Sequence, residues 1–138
     1  MWNVSTTARV LAEVAATRER QEARWGEQNH PALSPCDDAA ATRDAYEGRA
    51  DRWKELNEER ARRSVTAGRC PEGTPAHTHT AWDGILLEEV YEALAEEDPT
   101  AIRAELVQVA AVAVAWIEAI DRRPAAPATT SPVSDQPR

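Results

Sequence analysis

Between Leu106 and Ile117 the chain carries a single polar residue, Gln108. Read as a helix, that stretch is apolar on nearly every side, and such a helix must be covered all round. Three other amphipathic helices can be read in the 138 residues, and they can hardly cover it alone. Association of copies through this helix, as a homo-oligomer (dimer or tetramer), is therefore expected.

The uninterrupted apolar run within it, Val109 to Ile117, is short of the roughly 20 residues that a membrane-spanning helix needs. The opening Met1-Trp2-Asn3-Val4 has neither the basic start nor the apolar core of a signal peptide. No membrane partner is expected, and the reading is a soluble cytoplasmic protein. A net charge of −8 also argues against a nucleic-acid partner. It leaves room for a phosphorylated small molecule, because a bound divalent cation reverses the local field. Abundant alanine, no phenylalanine and only five glycines lean the chain towards helix.

Four helical stretches follow from capping and periodicity. The first opens after Ser5, Thr6 and Thr7 and runs to about Trp25, where Gly26 stops it. The second runs from Asp37-Asp38 to about Ser64 and is very polar, with charges of alternating sign that suit a solvated helix. A loop from Ala67 to Thr80 leads into the third, from about Trp82 to Glu96. Asp98-Pro99 pairs an N-cap with proline at the first helical position and opens the fourth, which continues to about Asp121. The expected organisation is one all-α domain over 1–121, a four-helix antiparallel bundle. The Pro/Ala-rich tail 122–138 is expected to be disordered.

The third helix reads Ile85-Leu86-Leu87-Glu88-Glu89-Val90-Tyr91-Glu92. At about 100° per residue, Leu86, Leu87, Val90 and Leu94 point one way, while Glu88 and Glu92 lie one turn apart opposite them. Glu89 is three residues before Glu92 and can aim at the same point. Acids converging within one turn repel unless a cation or protons neutralise them. Hard divalent cations want such oxygen ligands. Acidic helix faces are also common as plain solvated surface, so a second feature has to decide. Glu105 supplies it, since it opens a helix that otherwise reads as buried, where an unpaired charge is costly. Gln108 lies three residues further on the same side. A short connection makes helices three and four antiparallel neighbours, which can bring Glu105 and Gln108 opposite Glu89 and Glu92.

From Leu86 to Ile120 the chain resembles the MazG-like branch of the all-α nucleoside triphosphate pyrophosphohydrolases. That family carries Glu-Glu-x-x-Glu, a spacer and Glu-x-x-Asp. Here Glu88-Glu89-Val90-Tyr91-Glu92 completes the first half, and Asp98 to Leu106, ending Ile102-Arg103-Ala104-Glu105-Leu106, also looks like the family. Gln108 stands where the family's Asp is expected, while Arg20-Gln21-Glu22-Ala23-Arg24-Trp25-Gly26 fits more loosely. The resemblance implies the family's fold and a Mg²⁺-dependent enzyme, with Mn²⁺ as a substitute. Its substrate would be a nucleoside triphosphate, cleaved between the α- and β-phosphates to monophosphate and pyrophosphate. It puts ligand roles on Glu89, Glu92 and Glu105, with Glu88 a further ligand or the base that orients the attacking water. Gln108 can coordinate through its amide oxygen but brings no charge. An alternative is thus a catalytically weakened nucleotide-binding module acting as a sensor or interaction protein.

Phosphates also call for cations, and Lys54 is the chain's only lysine. Lys54, Arg49 and Arg52 on the second helix and Arg20 and Arg24 on the first are candidates, each with a plainer reading as surface charge. Trp25, Trp53 and Trp116 could stack on a base or simply pack a core. Cys70, His77 and His79, with Cys36, invite a zinc reading, but their spacing matches no established finger pattern.

Overall fold

The computed structural model describes residues 5–66 and 80–124. Over these the chain is all-helical, with α1 at Thr6–Trp25, α2 at Ala39–Thr66, α3 at Trp82–Ala95 and α4 at Pro99–Asp121. The helix ends show why they fall there. Ser5 accepts a hydrogen bond from the Ala8 N–H at 3.1 Å and caps α1. Gly26, at φ 68°, turns the chain out of it through a conformation that side chains rarely adopt. The Asp38 carboxylate accepts from the Ala41 N–H at 3.0 Å at the head of α2. Asp98 does the same for Ala101 at 3.0 Å, with Pro99 following it in the first turn of α4.

The helices form an open row. α3 packs on α2 and on α4, α1 packs on α4 alone, and no other helix pair touches among the described residues. Trp82 at the start of α3 stacks on Trp116 near the end of α4, their planes 7° apart. Along α2 and α3, Arg60 meets Asp83, Asn57 meets Glu88 and Lys54 meets Glu92. Thr7 at the start of α1 donates to the Glu118 carboxylate towards the end of α4.

Burial is sparse. Among the described residues the buried apolar side chains are Val10, Ala50, Ala93 and Val114. Leu86, Leu87, Val90 and Leu94 share the apolar face expected of α3, and all of them are half-buried. The expectation that α4 runs through a buried setting is corrected for the single chain. Leu106 and Val107 are 52% and 53% exposed, because α3 and α1 cover only part of the helix. α4 is long and apolar enough to cross a membrane by length and composition, with a mean hydropathy of 1.5.

α2 is less simply solvated than its composition implies. Arg52–Glu55 and Arg63–Glu59 are pairs within the helix, but Arg43–Glu97, Lys54–Glu92 and Arg60–Asp83 tie it to α3 and the residues just beyond. Gly84 is buried, and a Cβ there would collide with the Asn57 side chain of α2. Cys36 is exposed. Cys70, His77, His79 and the tail beyond 124, for which zinc binding and disorder were considered, lie outside the described residues.

Candidate metal centre

Glu89 and Glu92 sit on one face of α3 because they are three positions apart, a little under one helical turn. Asp98 and Pro99 fix where α4 begins, and Glu105 follows about two turns in. The result is a group of three half-buried carboxylates, each offering one oxygen within 4.8 Å of the others. The donors in this group are all hard carboxylate oxygens, the kind that hard divalent cations take as ligands.

The electrostatics carry the mark of this crowding. Burial pushes the Glu89 carboxyl up from the ordinary value of 4.5, and Glu92, Glu105 and Glu88 push it further. Lys54 partly opposes them. Its ammonium lies 3.0 Å from Glu92 Oε1, and that contact, followed by the charge of Glu92, raises the Lys54 pKa in turn. One ammonium against three carboxylates leaves the site net negative.

Glu88 takes a different place from the other acids. It accepts a hydrogen bond from Asn57 Nδ2 at 3.0 Å and faces α2, and no oxygen of it joins the group of three. Gln108 is exposed, whereas Glu105 is half-buried. Of the cations singled out in the sequence, the structure brings Lys54 to the cluster. Arg20 donates to Thr17 at 2.9 Å and Arg24 lies over the Trp25 ring, both within α1, with Trp25 itself 57% exposed. Trp116 is engaged with Trp82.

Sequence reasoning missed Asn57, Gly84 and the tyrosine pair. Asn57 lies three residues after Lys54, so both reach the acid face of α3, but in a helix this polar the spacing does not stand out. Gly84 opens the space that Asn57 fills, an isolated glycine whose reason appears only when a second helix is laid against it. Tyr46 and Tyr91 stack with centroids 6.1 Å apart, and Arg49 rests over both rings at 5.7 and 5.8 Å. Tyr91 lies in the turn of α3 that carries Glu88 and Glu92.

No family model matches the chain, and neither the curated proteins nor the solved structures searched contain a match.

Proposed function

We propose that the protein is a Mg²⁺-dependent nucleoside triphosphate pyrophosphohydrolase, releasing a nucleoside monophosphate and pyrophosphate. The observation that carries this reading is the meeting of Glu89, Glu92 and Glu105 from two helices within 4.8 Å. Together with the Glu88-Glu89-Val90-Tyr91-Glu92 motif, it supports the MazG-like resemblance and the antiparallel bundle that goes with it. A divalent cation held by these carboxylates would neutralise phosphate charge and make a bound water easier to deprotonate. The residues of the chain then take separate tasks. Glu89, Glu92 and Glu105 hold the cation, and Glu88, oriented by Asn57, accepts the proton of the attacking water. Lys54, the cation nearest the cluster, would be placed to meet the phosphates.

Gln108 favours a second reading, in which the nucleotide binds and turnover is weak. It is neutral where the resemblance leads one to expect an aspartate, and it is exposed. Pyrophosphate release from a panel of NTPs and dNTPs, with Mg²⁺ and with Mn²⁺, separates the two. Hydrolysis abolished by Glu92→Ala supports the enzyme. Tight nucleotide binding without product supports the binding module, and neither outcome with any nucleotide removes both.

A further inference from the structure

The acid cluster has a resident cation of its own. Lys54 reaches it across the seam between α2 and α3, with its ammonium 3.0 Å from Glu92 Oε1. Two neighbours on α2 keep the seam in register, since Asn57 donates to Glu88 and Arg60 pairs with Asp83. Glu92 attracts the ammonium most strongly, and Glu88 and Asp51 add their charge. Its own charge is felt at Glu89 as well. Every other strongly basic side chain in the sequence is an arginine. The difference matters at this position. An arginine fork closes on both oxygens of a carboxylate, whereas an ammonium is a single point of charge on a flexible stem. The Lys54 side chain is 49% exposed, so water can receive the ammonium once it leaves Glu92.

A divalent cation taken up by Glu92 would share that carboxylate with the ammonium, and two cations on one carboxylate repel. We propose that Lys54 is a built-in competitor of the metal, which neutralises the acids of the metal-free protein and must give up Glu92 before the ion is held tightly. The same side chain thus stabilises the metal-free fold and lowers the affinity for the ion. Affinity is set by a tether from α2 as well as by the ligands on α3 and α4. A tether of this kind gives opposite effects on removal. Stability without metal falls while metal binding tightens, whereas losing a structural prop would weaken both and losing a surface ion pair would change neither much. This inference rests on the proposed cation site of Glu89, Glu92 and Glu105, and not on hydrolysis.

The test is Mn²⁺ titration of the full chain beside Lys54→Met, Lys54→Arg and Arg63→Met, with each protein also melted without metal by circular dichroism. Lys54→Met should bind Mn²⁺ about tenfold more tightly, the scale on which groups next to metal ligands tune affinity. Its metal-free midpoint should fall by a few degrees, and Mn²⁺ should raise it by more than it raises the unaltered chain. Lys54→Arg should bind Mn²⁺ more weakly than the unaltered chain. Arg63→Met removes an equal charge from an exposed pair with Glu59, about 13 Å further along α2, and should change the affinity less than twofold. Equal or weaker binding by Lys54→Met overturns the inference and leaves the cation site standing. An equal gain in Arg63→Met assigns the effect to net charge and overturns it too. Mn²⁺ bound by none of the folded proteins overturns the inference and the cation site together. Should Lys54→Met fail to fold, Lys54→Arg decides alone, weaker binding supporting the inference and unchanged or tighter binding overturning it.

Discussion

Because burial and its acid neighbours raise Glu89 above 4.5, the folded state holds that proton more tightly than the unfolded chain does. The stability this contributes is full at low pH and is lost as the pH rises from 4.5 through the raised value. Asp83 behaves oppositely. The Gly84 N–H and then Arg60 hold it below 3.8, so its contribution is present above that value and lost on acidification. A cation must displace the Glu89 proton, so Mn²⁺ affinity should rise with pH across the Glu89 window, with protons released on binding. Calorimetry at two pH values in buffers of different ionisation enthalpy checks this. Glu89→Gln should stabilise the metal-free protein at neutral pH, by about 0.5 kcal/mol per relieved like-charge pair, while weakening Mn²⁺ binding. Thermal melts with and without metal read both effects.

At the scale of the helices, the absence of a side chain at Gly84 makes the room on α3 that the Asn57 side chain of α2 occupies. Gly84→Ala should drive Asn57 away from Glu88 and destabilise the fold by about 1–3 kcal/mol despite alanine's better helix propensity. Denaturant titration measures it, and restoring stability with the smaller Asn57→Ala in the same chain identifies the collision as the cause. At the head of α4, Asp98→Ala should cost about 1 kcal/mol through the lost cap. The ends of the helices were legible because capping is local chemistry. Ser5, Gly26, Asp38 and Asp98-Pro99 act within a few residues of themselves, and the structure uses each of them. The convergence of Glu89, Glu92 and Glu105 was legible too, since helical spacing and a short connection constrain it. Asn57 and Gly84 were not, because their significance depends on how far α2 slides along α3, and no local pattern encodes that.

The whole molecule differs from its sequence reading mainly in what surrounds α4. An apolar stretch announces that it needs cover without saying which chain provides it, so Glu105 was read as buried and is only half-buried in the single chain. Among the described residues the site therefore lies half-buried where α3 meets α4. Gln108 is the remaining variable. If its amide oxygen reaches the cation, Gln108→Asp adds a charged ligand and should increase Mn²⁺ affinity about tenfold or more.

The proposed chemistry depends on Glu89, Glu92 and Glu105 holding one divalent cation. Mn²⁺ titration of the full chain, followed by electron paramagnetic resonance of the free ion, tests that directly. The account predicts one saturable site per chain in the unaltered protein and its loss in Glu92→Ala and in Glu105→Ala, with helicity retained. Unchanged Mn²⁺ binding in both folded variants, or no binding by the unaltered chain, would contradict it.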